Sequence, residues 1–263
     1  MTVFGGIILV RGMSMLTEER HAFILDQLKQ HNIVKTQALI TVLNSSESTI
    51  RRDLQQLEAG GKLKRIHGGA KRMYQLNDEL SVHEKSSKSV QEKNAIGRLA
   101  ASLIDNNDVI YLDAGTTTYT MIEFINARDI TVVTNGILHA SLLADKNIHT
   151  VLVGGKVKSS TKAIVGATSQ RELRNYRFNK SFIGMNGIDP EYGCTTPDPE
   201  EAALKEIAQQ HAATAYVLAD HSKWNQVHFV KVCGIEEVTI VTDKVEGNLI
   251  SNIENTTILE AKQ

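Results

Sequence analysis

The feature that most limits what this chain can fold into is the stretch S-S-E-S-T-I-R-R-D-L-Q-Q-L-E-A-G-G-K-L-K-R-I-H-G-G-A-K-R at residues 45–72. Its first half reads as a helix with an abrupt stop, because Ser46 can cap the N-terminus, apolar residues recur at helical spacing, and Gly60 and Gly61 break it. At about 100° per residue, Ile50, Leu54 and Leu57 share one side. Ser48, Arg52, Gln55 and Gln56 point away from that side, with Thr49 and Arg51 on its flanks. Such an outer face can donate hydrogen bonds to base edges and neutralise phosphates.

The second half, residues 62–72, carries Lys62, Lys64, Arg65, Lys71 and Arg72 and no acid, around a turn at His67-Gly68-Gly69. A short basic hairpin beside a polar helix suits a duplex, the helix entering the major groove and the hairpin following the phosphates. A solvated amphipathic helix would account for R-R-D-L alone; the basic glycine hairpin behind it favours DNA. Upstream, Thr17 is expected to cap a helix over 18–30 and Thr36 a second over 37–43, with Asn44-Ser45 turning into the recognition helix. Residues 15–72 then form an α+β winged helix-turn-helix. The expected DNA contacts are Ser46, Ser48, Thr49, Arg51, Arg52 and Gln55 from the helix, and Lys62, Lys64, Arg65, His67, Gly68 and Gly69 from the wing.

The whole chain of 263 residues has a formal net charge of only -1, so the basic character is local to the part that would meet nucleic acid. A hydrophobic content of 41% supports packed cores for a small and a medium domain. Cys194 and Cys233 stand far apart without a Cys-x-x-Cys or paired histidines, which supports buried thiols rather than a disulfide framework or a zinc site. No apolar run approaches the roughly 20 residues that span a bilayer, and a cytosolic protein without metal or cofactor is expected.

Residues 73–90 are polar, with Asn77-Asp78-Glu79 and Lys85-Ser86-Ser87-Lys88, and read as a linker or as a surface helix of the second domain. Over 91–263, helices alternate with apolar runs at 109–112, 130–133, 149–153, 181–185, 215–218 and 238–241. Continuous runs of this kind read as buried parallel strands of an α/β domain. Ligands of such sheets bind beyond the strands' carboxyl ends. After the first run, Asp113-Ala114-Gly115-Thr116-Thr117-Thr118 leads into a helix, where glycine, hydroxyls and amides suit a phosphate and Asp113 suits sugar hydroxyls. Thr134-Asn135-Gly136, Gly154-Gly155-Lys156 and Ala219-Asp220-His221-Ser222-Lys223 follow three other runs, the last bringing a carboxylate and an ammonium together.

Thr49-Ile50-Arg51-Arg52-Asp53-Leu54, Leu57-Glu58, Gly61, Leu63 and His67-Gly68-Gly69-Ala70 resemble, in order and spacing, the winged helix-turn-helix signature of the DeoR family of bacterial transcriptional regulators. The resemblance extends through Asp113-Ala114-Gly115-Thr116-Thr117, Thr134-Asn135, Gly154-Gly155, Gly166, Glu201 with Lys205, and Asp220 with Lys223, with Thr118-Tyr119 as a departure. It implies a C-terminal fold similar to ribose-5-phosphate isomerase, used as a sensor of phosphorylated sugars in a homo-oligomeric repressor, dimer or tetramer. Residues 15–21 and 46–54 are most similar to fructose-operon repressors of Gram-positive bacteria, which makes fructose 1-phosphate the first effector candidate. The alternative is a sugar-phosphate isomerase-like enzyme with an appended DNA-binding domain, using Asp113, Glu201, Asp220 and Lys223; the sign of regulation is not legible.

Residues 1–14 lack the basic segment and cleavage site of a secretion signal, and Met13 and Met15 lie directly ahead of the first helix. Translation is expected to begin at Met15, with 1–14 a non-native extension; N-terminal sequencing of the native protein that returned Met1 would refute this.

Overall fold

The structure, a computed structural model, describes residues 15–73, 76, 80–245 and 255–262. The expected extension at 1–14 lies outside them. The chain divides into two compact units, Met1–Tyr74 and Gln75–Gln263.

The first unit contains α1 (Thr17–His31), β1 (Ile33–Lys35), α2 (Thr36–Leu43), α3 (Glu47–Ala59), β2 (Leu63–Ile66) and β3 (Gly69–Arg72). The three strands form one antiparallel sheet in the order β1-β3-β2. Ile24, Leu28, Leu39, Ile50, Leu54, Leu57, Leu63 and Ala70 close a single core beneath it. Burying each of the larger of these side chains contributes on the order of 1.5 to 3 kcal/mol. The apolar stripe read from the sequence is thus the inner face of α3.

Ser46 caps α3, its Oγ accepting from the Thr49 amide at 3.2 Å. The other two expected caps are displaced by one residue. Thr17 lies inside α1, whose cap position is Leu16, with the Leu16 amide donating to Glu19 Oε2 at 2.9 Å. Thr36 begins α2 after Lys35, and its amide donates to the Gly68 carbonyl at 2.8 Å, so the wing supplies what a local side chain was expected to supply. Gly68 makes the wing turn at φ 77°, and a Cβ on Gly69 would lie 2.0 Å from the Val34 carbonyl oxygen. The tight seating of β3 on β1 therefore requires glycine there.

In the second unit, α4 (Val82–Ser86) and α5 (Val90–Ser102) precede β4 (Val109–Leu112), α6 (Thr116–Met121), β5 (Thr131–Thr134), α7 (Ile137–Asp145) and β6 (His149–Leu152). A hairpin of β7 (Lys156–Lys158) and β8 (Ala163–Val165) leads to α8 (Ala167–Leu173), β9 (Phe178–Gly184), β10 (Gly187–Asp189) and β11 (Gly193–Thr196). Then come α9 (Pro199–Gln210), β12 (Ala212–Leu218), β13 (Val230–Cys233), β14 (Thr239–Thr242) and β15 (Thr257–Glu260). The main sheet has seven strands in the order β15-β14-β12-β9-β4-β5-β6, every pair parallel. All six expected runs are among them. Ile110, Leu112, Val132, Phe182 and Val241 face a core with Ile96 and Met121, whereas Tyr111, Val133, Ile183, Val217 and Ile240 face a second core with Leu173, Leu204 and Ile207. Both faces are covered, which is why the runs are apolar throughout rather than alternating.

Of the stretch expected as a linker, 80–90 is built into this unit: the Val82 amide donates to the Ser160 carbonyl at 3.0 Å, and Ser81 and Glu84 form a capping box on α4. Cys194 and Cys233 are buried thiols and register partners on β11 and β13, a neighbourhood that their distance in sequence concealed.

Asp53, buried on the inner side of α3, accepts from Arg20 Nε at 2.7 Å and Nη2 at 3.0 Å, with His21 Nε2 at 3.3 Å. This bidentate brace fixes the recognition helix on α1. Arg20→Ala strands the carboxylate and is expected to lower the stability of the first unit by about 2 kcal/mol, read as an earlier transition for that unit in urea with the second unit's transition unmoved.

Candidate functional site

On the N-terminal unit, α3 turns Ser48, Arg51, Arg52 and Gln55 to solvent, and Lys62, Lys64, Arg65 and His67 are exposed on the wing side. The hydroxyls of Ser46, Ser48 and Thr49 cluster at the helix start, Ser46 Oγ lying 2.9 Å from Ser48 Oγ and 2.8 Å from Thr49 Oγ1. Arg51 pairs with Glu47 at 2.6 Å and Arg65 with Glu58 at 3.2 Å, so both guanidiniums are held in place. Among the described residues Arg52 has no carboxylate partner, which leaves its charge for a phosphate or a base edge. Between α3 and the wing runs an open groove of about 600 Å³ lined by Arg51, Arg65, His67, Gly68 and Gly69. Thr36 and Gln37 of α2 also line it; they were not foreseen because nothing in their sequence marks them as facing the wing.

On the C-terminal unit, the chain runs from β4 outward to β5 and β6, then returns to place β9 on the other side of β4. A sheet opens a crevice where its strand order reverses in this way. A cavity of about 520 Å³ occupies that point, walled by the residues after β4, β9 and β12 together with α5, α9 and the segment before α5. Asp113, Gly115, Thr116, Thr117, Glu201, Lys205, Asp220 and Lys223 all line it.

Asp113 and Lys205 are buried and paired at 2.5 Å, and Asp113 Oδ2 also accepts the Gly184 amide at 3.0 Å. Glu201 accepts from Thr161 Oγ1 at 2.7 Å and from Lys158 at 3.2 Å. Burial opposes its charge, but Lys205, Lys158 and the Thr161 hydroxyl together hold its carboxyl below the usual range. Lys93, whose ammonium donates to the Lys85 carbonyl, is pushed below the usual lysine range, chiefly by burial. Asp220 and Lys223 share the wall, yet the Asp220 carboxylate is engaged by the amide (3.0 Å) and hydroxyl of Ser222, as the cap of a 3-10 turn at His221–Lys223.

Thr118, Thr134, Asn135, Gly154 and Gly155 stand behind the wall rather than on it. Thr118 Oγ1 donates to the Asp113 carbonyl at 2.6 Å and accepts the Gly115 amide at 3.0 Å. Asn135 Oδ1 accepts from Tyr111 and from the Ala114 amide, both at 3.0 Å, and Thr134 Oγ1 accepts the Gly136 amide at 3.0 Å. Gly154 bonds Glu172 at 2.8 Å and Ser169 at 2.7 Å, and Gly155 lies against Ser169. The ends of β5 and β6 lie one and two strands away from β4; Thr118 and Asn135 brace the loop after β4, whereas Gly154 and Gly155 lie against α8 and the end of β8. Because the Ala114 and Gly115 amides are already bonded, Thr116 and Thr117 are the donors that this loop offers. Lys85, Lys88, Ser89, Lys93, Thr161 and Asn186 are further polar residues of the lining that were not singled out from the sequence as site residues; for Lys85 and Lys88 the signal was a charged stretch that also reads as a linker.

A winged head with a cationic outer face, joined in one chain to an α/β unit with a charged cavity at its switch point, defines a DNA-binding regulator that carries a small-molecule site. The DeoR-like helix-turn-helix domain matches residues 20–75, and the DeoR C terminal sensor domain matches residues 88–244. This chain therefore belongs to the DeoR family of transcriptional regulators. The uncharacterized HTH-type transcriptional regulator FruR of Bacillus subtilis is 49% identical over 94% of this chain and 98% of its own. The lactose phosphotransferase system repressor of Staphylococcus aureus is 32% identical over 86% of this chain and 92% of its own. A D-ribose-5-phosphate isomerase solved with phospho-erythronic acid aligns with a TM-score of 0.40 and 18% identity, over 51% of this chain and 54% of that one. Among the described residues no helix is long and apolar enough to cross a membrane.

His139, behind the loop after β4, lies 3.0 Å from the Gly115 carbonyl through Nε2, and burial lowers its pKa from 6.5 to about 4. The unfolded chain therefore binds this proton first as pH falls. Stability from the neutral ring is complete above about pH 6.5 and is lost as pH drops through about 4, amounting to about 2 kcal/mol by pH 5. His139→Gln is expected to flatten the dependence of the second unit's stability between pH 7 and 5 by one proton, measured by urea unfolding at several pH values.

Proposed function

We propose that this protein represses a sugar-utilisation operon in the cytoplasm, that two or more of its winged units hold operator half-sites as a homo-oligomer, and that a phosphorylated sugar in the C-terminal cavity releases them. The observation that carries this reading is the charge of the cavity wall. Lys85, Lys88, Lys93, Lys205 and Lys223 face Asp113, Glu201 and Asp220, an excess of two positive charges when all are ionised. A phosphomonoester brings up to about two negative charges, while threonine hydroxyls and carboxylates accommodate sugar hydroxyls. Fructose 1-phosphate is the first candidate, supported by the resemblance at residues 15–21 and 46–54. The repressor sense follows the name of the staphylococcal relative.

A sensing role is favoured over turnover by the joining of a DNA-reading unit and the cavity-bearing unit in one chain.

The test is binding to the protein's own upstream DNA at fixed salt, with and without a panel of sugar phosphates that includes fructose 1-phosphate. Release by one member is expected; tight binding that no member disturbs removes the sensor, and absence of DNA binding removes the regulator. In the same assay Arg52→Ala is expected to cost on the order of 1 to 3 kcal/mol of operator affinity, or to reduce the salt slope by about one if Arg52 meets phosphate. An unchanged affinity and slope would show that the outer face of α3 does not read DNA.

A further inference from the structure

Outside the effector cavity, three side chains able to ligate a metal converge from three elements of the C-terminal unit. Glu92 comes from the first turn of α5, His221 opens the 3-10 turn after β12, and Asp243 follows β14. One ligand atom from each lies within 4.8 Å of the other two. His221 Nδ1 is 2.7 Å from Asp243 Oδ2, and Asp243 Oδ1 accepts the His221 amide at 2.7 Å, so its second oxygen orients the carboxylate. The Asp243 side chain is buried, whereas that of His221 is 34% exposed and leaves a path from solvent. Glu92, half-buried, brings a second carboxylate toward the first. Two carboxylates this close to a neutral imidazole repel each other unless a positive charge stands between them. None of the three lines the effector cavity, although their neighbours Lys93, Asp220 and Ser222 do.

We propose that Glu92, His221 and Asp243 bind a divalent transition-metal ion, zinc or manganese, with water completing its shell. One nitrogen and two oxygens suit ions of intermediate softness, whereas magnesium and calcium prefer oxygen alone. Two carboxylates and a neutral imidazole also balance the charge of such an ion. Zinc bonds of about 2.0 to 2.2 Å to these ligand types require the contact between His221 Nδ1 and Asp243 Oδ2 to open slightly and the long Glu92 side chain to close in. Coordination replaces the hydrogen bond between His221 and Asp243, and its proton passes to Nε2 or to solvent. The ion then ties the start of α5, the turn after β12 and the end of β14 together behind the cavity wall.

The experiment uses the full chain, freed of metal with a chelator. Calorimetry with zinc, manganese and magnesium chlorides is expected to give one zinc or manganese ion per chain, with magnesium bound far more weakly. Glu92→Gln and His221→Gln are each expected to weaken zinc binding at least about tenfold, since loss of a ligand costs no less than loss of an outer-shell partner. Glu92→Gln changes a half-buried position at a helix start, so it reports on the site even where His221→Gln disturbs the turn. Cobalt(II) distinguishes this site from the buried thiols of Cys194 and Cys233: a nitrogen and oxygen set gives no thiolate charge-transfer band in the near ultraviolet. Failure of the wild type to bind zinc or manganese, undiminished zinc affinity in Glu92→Gln, magnesium bound as tightly as zinc, or a thiolate band with cobalt each overturns the site.

Discussion

The buried pair between Asp113 and Lys205 is the contact on which the sensor unit depends. It joins the loop after β4 to α9, and through the Gly184 amide it adds the end of β9, so three elements distant in sequence meet at one carboxylate oxygen. Removing two charges from water is costly, and the pair persists because each partner is also bonded to backbone. With α9 held there, Glu201 stands one helical turn before Lys205 and faces the β7–β8 hairpin, where Thr161 and Lys158 meet it. Lys158 in turn reaches Asp198, the cap of α9, at 2.8 Å. The cavity wall is thus a connected polar network rather than a set of independent contacts.

The DNA-binding unit solves a different problem on a single helical turn. Arg51, Arg52 and Asp53 are consecutive, and each successive side chain points about 100° further around α3. Arg51 is held by Glu47, Arg52 is offered outward, and Asp53 is turned into the protein against Arg20. One acidic residue among basic ones here is structural, since it anchors the helix that presents its neighbours.

The winged unit was legible in the sequence because its determinants are local: the Ser46 cap, the period of Ile50, Leu54 and Leu57, and the glycines of the wing lie within one short stretch. The six strands were legible because burial on both faces leaves uninterrupted apolar runs. Strand order was not. The four strand ends singled out all offered groups suited to a ligand, and the placement of β9 beside β4 separates Asp113 and Thr116, on the cavity, from Asn135 and Gly154, behind it. Contacts made across the fold were hidden for the same reason: Arg20 with Asp53, the Gly68 carbonyl with Thr36, and Cys194 opposite Cys233. Residues 80–89 were ambiguous because a charged, weakly periodic segment reads alike whether it spans solvent or borders a charged cavity.

Where β4 and β9 part, Gly115 and Gly184 face each other beside the Asp113 carboxylate. A Cβ on Gly115 would stand 3.5 Å from the Gly184 Cα, and one on Gly184 would stand 3.3 Å from Asp113 Oδ2. Glycine main chain thus forms part of the cavity wall, set beside the Asp113 and Lys205 side chains. Lys88, Lys93 and Thr161, which line the same cavity, come from a turn, a helix and a hairpin that can change residue by residue. A chain built this way can alter the periphery of its cavity while the strands that carry the fold stay as they are.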